Sequence, residues 1–395
     1  MSIEQIKKEA IEVRKEKKGL LTTASKFPLE NGYDLSVAYT PGVAEPCLLI
    51  KEDEDLSFEL TCRSNMVAVV SDGSRVLGLG NIGAAASIPV MEGKSLLFKR
   101  FGDVDCIPLV ISSQDTEDII RTVKMVEKSF AGINLEDLSS PKCYEIENRL
   151  KAELDIPVFH DDQHGTAIAC VAAVKSALRL VKKDLETVKI VVNGAGAAGA
   201  NIAKLLYQAG ARNITLMVSS GVLTKAYPRL DSLQAELIDL LGQDGKSGDL
   251  VSVAKGADVL LGVSAAGAFT KEVLEGLAED SIVFAMANPN PEATYEDMKD
   301  AGVRVAGTGR SDAPNQINNV TVFPGVFRGA IDVHASSIND EMKLAATDAL
   351  AYLITEEELT EEYVVPSAFD ERVAKVVAKA VADKAIETGV ARKAK

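Results

Sequence analysis

The 395-residue chain has no tryptophan, only three histidines and five cysteines, and fewer cations (43 Lys and Arg) than anions (58 Asp and Glu). Each scarcity excludes something. A formal net charge of -15 would be repelled by a polyphosphate backbone or an anionic bilayer, so neither nucleic acid nor a membrane is expected as a partner. A small anionic substrate remains allowed, because a few local cations can dominate a cleft. The cysteines, at 47, 62, 106, 143 and 170, are odd in number and form no CxxC, which argues against a disulfide framework. Most sit beside apolar residues, so buried free thiols in a reducing cytosol are expected. Residues Ile3 to Lys18 mix Glu with Lys and lack the apolar stretch of a signal peptide. No uninterrupted apolar run reaches the length of a membrane span, and there is no internal repeat. These absences describe a soluble, cytoplasmic protein.

What remains is an ordinary globular composition, 47% hydrophobic and 26% charged, in a chain long enough for two cores. Periodicity predicts an amphipathic helix over residues 2–18 with Ile3, Ile6, Ala10 and Val13 on one face. Glycine and proline then punctuate the chain to about residue 110, around apolar runs at Met66–Val70 and Ile107–Ile111. Asp115 is placed to cap a helix striped by Ile119, Ile120, Val123 and Val126. A second helix, Cys143–Leu154, and a strand, Ile156–Phe159, follow. From Thr166 the rhythm changes: helix Ala167–Val181 leads into strands at Val188–Val192, Ile214–Val218, Asp258–Val263, Ile282–Met286 and near Val303–Ala306, with helices between them. That alternation predicts a parallel sheet covered on both faces. Helices return over Asn339–Leu353 and Asp370–Glu387. The expected organisation is an α/β substrate domain (1–160), a Rossmann-like NAD(P)-binding domain (161–315) and a C-terminal helical segment (316–395).

Gly194-Ala195-Gly196-Ala197-Ala198-Gly199 fits GxGxxG between a β-rich run and a helix. The first glycine permits the turn, the second lets backbone approach a pyrophosphate, and the third lets helix and strand pack closely. Gly78 to Gly83 matches the same pattern, but Pro89 arrives before any convincing helix, so a glycine-rich loop with a packing or substrate role is expected there. An acid that would bind the ribose usually closes the second strand. Here that strand ends in Ser219-Ser220, with no acid until Asp231, which leaves NAD and NADP both open.

His160-Asp161-Asp162-Gln163-His164 has two histidines four apart, as in HExxH, but Pro157 and β-like residues precede it and Gly165 follows. A loop at a strand end is expected instead of the helix a zinc protease needs. The carboxylates could merely cap the helix at Thr166. Paired with Glu136-Asp137, however, they would make an all-oxygen site suited to Mg²⁺ or Mn²⁺. Gly93-Lys94-Ser95 lacks the opening glycine of a phosphate loop, since Ile88 stands there. On these residues alone Lys94 reads as a snorkelling lysine.

Taken together, SVAYTPGVAEPC (36–47), SDGSRVLGLGNIG (71–83), PVMEGKSLLFKRF (89–101), GINLEDL (132–138), IPVFHDDQHGTA (156–167), VNGAGAAG (192–199), FAMANPNPE (284–292) and INNVTVFPGVFRG (317–329) resemble the malic enzymes, in particular the short bacterial type. The resemblance implies oxidation of L-malate to pyruvate and CO₂ with NAD (NADP possible) and Mg²⁺ or Mn²⁺, through oxaloacetate and enolpyruvate. It implies Glu136, Asp137 and Asp162 as metal ligands with Asp161 beside them, Lys94 as general base with a depressed pKa, and Tyr39 as general acid. It further implies Arg75 as a carboxylate clamp, Asn288 and Asn319 facing substrate and nicotinamide, and a homodimer or larger oligomer. No appended phosphotransacetylase-like activity is expected in a chain ending at 395. Two other readings compete: a metal-free two-domain amino-acid dehydrogenase, and a non-enzymatic dinucleotide sensor.

Overall fold

The computed structural model describes residues 3–76 and 78–392. Ser2 of the first predicted helix and Leu77 of the 71–83 motif lie outside the described residues, as does the Ile3 side chain.

Two parallel sheets organise the chain. The first contains β1 (Met66–Ser71), β2 (Asp105–Val110), β3 (Gly132–Leu135) and β4 (Val158–His160) in the order β2-β1-β3-β4. The second contains β5 (Lys189–Asn193), β6 (Asn213–Val218), β7 (Gly221–Val222), β8 (Val259–Gly262), β9 (Ile282–Ala285) and β10 (Val305–Thr308) in the order β10-β9-β8-β5-β6-β7. All neighbours run parallel except the short β6–β7 pair, which the sequence did not announce. Helices cover both faces, so the central strands are unbroken apolar runs such as VLLG and IVFA, buried throughout. Strand order reverses between β5 and β8, which is where an open α/β sheet forms its ligand crevice.

The helix Asp161–Val181 departs from expectation. It starts at Asp161 and so absorbs Asp161 to His164 of the HDDQH stretch, which had read as a loop, while His160 ends β4. Acids suit a first turn, where free amides and the helix dipole favour negative charge. Gly165 does not break it, for a reason that appears in the site. The helix is long and apolar enough to cross a membrane, yet it is a core element here: its small residues pack against the helices Ala197–Gln208 and Asp340–Ala351. Ser176 Oγ and Arg179 donate to the carbonyl of Ala351 at 3.0 and 2.8 Å.

A second departure concerns Gly78–Gly83. The helix Ala84–Gly102 follows Gly83 directly and carries Pro89 within it. The carbonyl of Pro89 accepts from the Arg14 guanidinium (2.8 Å), and Arg14 also pairs with Glu92.

After β10 the chain returns to the first sheet. The helix Phe323–Asp332 packs against both Arg372–Glu387 and Ala84–Gly102. Gly329 makes the first contact possible, since a Cβ there would lie 2.3 Å from the Ala378 carbonyl oxygen. Phe98, Phe159, Phe323 and Phe327 form one aromatic cluster joining the last helices to the first core. All five cysteines are free. Cys106, Cys143 and Cys170 are buried as expected, whereas Cys47 and Cys62 are exposed because they lie in segments that bury little. The first helix, Ile3–Lys17, forms as predicted, but its apolar face is uncovered: Ile6 and Val13 are exposed.

Candidate active site

Strand polarity gathers the acids. β3 and β4 are parallel neighbours with Leu135 opposite His160, so the next residue on each, Glu136 and Asp161, leaves the sheet at the same level. Asp137 follows Glu136 in left-handed backbone (φ 55), and its amide donates to Asp162 Oδ2 at 2.8 Å. Glu136, Asp137 and Asp161 are buried, while Asp162 is partly open. Asn134, one pleat back on the buried strand, donates to Glu136 Oε2 at 2.9 Å.

Lys94 enters this acid group from the middle of the helix Ala84–Gly102. Its Nζ lies 2.8 Å from Glu136 Oε1 and 2.6 Å from Asp161 Oδ2, over the face of the Phe323 ring at 4.3 Å. It is therefore no snorkelling lysine. The expectation of a depressed pKa is overturned: burial alone would lower it, but the charges of Asp161, Glu136 and Asp162 raise it above the ordinary lysine value. Arg75, invoked to depress it, is exposed; its main-chain amide donates to the Asp137 carbonyl at 3.0 Å. Burial holds Glu136 well above the usual carboxylate range, with Lys94 opposing and the other three acids adding to the rise. Burial likewise pushes Asp161 up to about 6 against the pull of Lys94.

Gly165 is what lets Asp161 fold against its own helix. A Cβ at that position would lie 1.8 Å from Asp161 Oδ1 and 3.1 Å from the Asn319 Cβ. Asn319 thus sits one side chain from the acid group, on the short turn Asn319–Thr321.

The two histidines do not share a ligand. His164 Nε2 bonds Glu147 Oε1 at 2.8 Å, and burial lowers its pKa to about 3. His160, also buried, is 3.9 Å from Asp162 and shifted down by burial. Lys94 is the ammonium that meets the acid group directly, through Glu136 and Asp161. Among the described residues, no three acids, histidines or cysteines enclose a common point as a bound metal would require. The chemistry of the donor set nevertheless suits a hard cation, because Glu136, Asp137, Asp161 and Asp162 outnumber the one ammonium among them.

The second half meets this pole through loops. Gly78 packs so closely on the Asn288–Pro289 turn that a Cβ would lie 2.7 Å from Pro289 Cδ. The turn, with Asn288 exposed on it, is shaped by Glu292, which sequence reasoning passed over. Fully buried, Glu292 accepts from the amides of Ser264 (2.6 Å) and Ala287 (3.0 Å). The signal was a lone acid closing an apolar strand-and-turn segment. Asp72 was also passed over; its carboxylate pairs with Lys142 at the end of β1 and accepts from the Ser74 amide, fixing the loop that carries Arg75.

The glycine turn has the geometry its spacing predicts. Gly194 (φ +115) passes 2.6 Å, by its missing Cβ, from the Val263 carbonyl, and a Cβ on Gly199 would strike the Gly194 carbonyl at 1.8 Å. At Gly196 nothing lies within 4 Å, which leaves backbone open to a ligand. The turn is braced at Ala195, whose carbonyl accepts from Gln234 Nε2 at 2.8 Å. Ala197 and Ala198 open the helix Ala197–Gln208, so its free amides face the same space. Ser219 lies exposed in the β6–β7 turn. Tyr39 closes the helix Gly32–Ala38 and is 67% exposed.

Residues 19–118 match the malic enzyme N-terminal domain, and residues 163–386 match the malic enzyme NAD-binding domain. The chain belongs to the malic enzyme family. It is 53% identical over 388 residues to the bifunctional malic/malolactic enzyme of Bacillus subtilis, covering 98% of this chain and 95% of that one. With the NAD-dependent malic enzyme of Geobacillus stearothermophilus it shares 51% identity over 95% of this chain and 78% of the relative. Among solved structures, the malic enzyme of Pyrococcus horikoshii superposes with a TM-score of 0.94 at 44% identity, covering 99% of this chain and 93% of that one. As a malic enzyme the chain is a malate oxidoreductase of the oxaloacetate-decarboxylating kind, with an NAD(P)-binding Rossmann-like domain.

Proposed function

We infer that this malic enzyme converts L-malate to pyruvate and CO₂ at the junction of the two sheets, with Lys94 handling the proton of the C2 hydroxyl. The carrying observation is the contact of Lys94 Nζ with Glu136 and Asp161, 2.8 and 2.6 Å away, at strand ends of the sheet whose Gly78 loop packs on the Asn288–Pro289 turn. Mg²⁺ or Mn²⁺ would be held by Glu136, Asp137 and Asp162 and would supply positive charge that acidifies the hydroxyl and stabilises the enolate oxygen. The same charge would offset the acids that raise the Lys94 pKa.

The residues then divide the work. Lys94 accepts the hydroxyl proton and shares it with Asp161, whose own proton affinity burial has raised. NAD(P)⁺, when bound, would accept the hydride that leaves C2 as the C2–O bond gains double-bond character. The C3–C4 bond of the resulting 2-keto acid breaks, CO₂ departs, and its electron pair becomes the enolate. Tyr39 gives C3 a proton. Arg75 pairs with a substrate carboxylate, while Asn288 and Asn319 orient substrate and nicotinamide. Gly194–Gly199 would hold the pyrophosphate, with open backbone at Gly196.

NAD is the favoured coenzyme, with NADP also admitted. The Geobacillus relative is named NAD-dependent, and the Ser219-Ser220 turn offers no cation for a 2′-phosphate. Residues 1–160 and 161–315 serve as substrate and nucleotide domains, with 316–395 closing on the first. Five free thiols fit a cytoplasmic protein. The test is an assay with L-malate and Mn²⁺ that follows pyruvate and compares NAD⁺ with NADP⁺. Chelation should abolish turnover and Mn²⁺ should restore it; turnover that survives chelation would favour the metal-free dehydrogenase.

A further inference from the structure

We propose that the cavity enclosed by the helices Lys142–Glu153, Asp161–Val181, Ala197–Gln208, Ser232–Leu240 and Asp340–Ala351 is an effector site for a small phosphate-bearing metabolite. Binding there stands on geometry alone; an effect on turnover rests on the malate reading above.

Three lysines reach the cavity from three different helices. Lys151 comes from Lys142–Glu153, Lys204 from Ala197–Gln208 and Lys343 from Asp340–Ala351, around a volume of about 290 Å³. Each meets one carboxylate: Lys151 lies 2.5 Å from Glu147, Lys204 2.9 Å from Glu236 and Lys343 2.9 Å from Asp340. Two of these acids are engaged elsewhere as well. Glu147 Oε1 also takes His164 Nε2 (2.8 Å) and the His160 amide (3.3 Å), and Asp340 accepts from Gln208 (2.8 Å). Among the described residues the three ammoniums meet no second acceptor, so each keeps N–H groups for a ligand. Lys343 is only 8% exposed, and burial followed by the Lys151 charge lowers its pKa, as befits an ammonium short of anions.

Neutral donors add to the ammoniums. Gln163 borders the cavity and is 1% exposed; its Oε1 accepts from Asn201 at 3.2 Å, but among the described residues its Nε2 has no partner. A buried amide donor left without an acceptor is costly, and a bound anion would relieve it. Ser232 and Leu233, on the same wall, open the helix Ser232–Leu240, whose first amides have no acceptor within the helix. The capping carboxylate of Asp231 is committed to the Gln234 amide, 2.8 Å away. Ammoniums converging with helix-start amides suit a phosphate group, and the volume leaves room for a short carbon skeleton.

The cavity touches both halves of the enzyme. Gln163 directly follows Asp162 of the acid group. Asn201, its hydrogen-bond donor, also donates to the carbonyl of Ala197 at 2.9 Å, the first residue of the helix behind the glycine turn. A ligand held by Lys151, Lys204 and Lys343 fixes the acid-bearing helix against the nucleotide helix, and so favours the dinucleotide.

The test uses full-length enzyme saturated with NAD⁺, so that the glycine turn is already occupied. Calorimetric titration with inorganic phosphate and with glycerol 3-phosphate should show binding, weakened about tenfold or more in Lys151→Gln combined with Lys204→Gln. Tighter binding of glycerol 3-phosphate assigns a phosphomonoester; tighter binding of inorganic phosphate assigns the free ion. No binding at millimolar concentrations, or equal affinity in wild type and variant, would overturn the site. Should circular dichroism show the variant unfolded, amine acylation of the wild type decides: phosphate should slow labelling of Lys151 and Lys204 by mass spectrometry, and unslowed labelling overturns the site. Phosphate should also lower the dinucleotide KM about 5-fold in wild type and not in the variant. An unchanged KM with binding intact removes the effector role. Absence of any malate turnover would sink the malate reading, while calorimetry still decides the site.

Discussion

The two sheets end in sites built on opposite principles. At the first, recognition is by side chains: four acids leave the strand ends and the helix start, one lysine reaches them from the middle of another helix, and burial raises the proton affinity of Glu136 and Asp161. At the second it is by backbone: Gly194, Gly196 and Gly199 matter for the atoms they lack. The first site should therefore fail when functional groups change, and the second when a methyl group is added.

The largest expected effect is at the lysine. Lys94→Ala should lower kcat for malate oxidation by about 10³-fold with little change in the dinucleotide KM, because proton transfer is typically worth 10²–10⁴. Single-turnover NADH formation checks this; wild-type rates would remove the base assignment. Next comes Gly199→Val, whose Cβ would lie 1.8 Å from the Gly194 carbonyl. It should raise the dinucleotide KM and lower stability by about 1–3 kcal/mol, measured by steady-state kinetics and urea unfolding. If its kcat for bound substrates fell as far as that of Lys94→Ala, the two sites would not be separable.

Gly165→Ala sharpens the contrast, since it adds one methyl to the side-chain site. By displacing Asp161 from Lys94 it should reduce kcat about 10-fold while the dinucleotide KM holds. A smaller effect concerns pH. His164 is neutral in the fold, its pKa lowered by burial to about 3, against about 6.5 when unfolded. The unfolded chain then binds the extra proton first, so this group's stabilisation is present above pH 6.5 and is lost as pH falls towards 3. The melting temperature should drop across that window, and less steeply in His164→Gln. The smallest effect is chemical: Cys106 and Cys143, whose pKa values burial pushes up to about 12, should resist native alkylation, as should Cys170. Mass spectrometry before and after unfolding would count them.

Much of this was legible in the residues. Strand positions were readable because strands buried on both faces are unbroken apolar runs, and the nucleotide turn because glycine spacing reports backbone geometry directly. Two misreadings share a cause. Gly165 and Pro89 were taken as local breakers, but each is outweighed within a long packed helix: Asp161 occupies the space Gly165 leaves, and Pro89, in the second turn, forgoes one main-chain bond, to the Ala85 carbonyl. The upward shift at Lys94 was not legible because the acids around it come from a strand end and a helix start distant in sequence. The exposure of Tyr39 and its neighbours was equally invisible, since an apolar residue reads the same whether or not the fold covers it.

One consequence follows from the early start of the helix Asp161–Val181. Its first turn carries two carboxylates, and the aligned peptide dipoles behind them place roughly half a positive charge at that tip. Part of the repulsion among the acids is thus met by main chain, without a further basic side chain crowding the space kept for substrate. Fraying that turn would cost the enzyme both the position of its acids and the charge that makes their closeness tolerable.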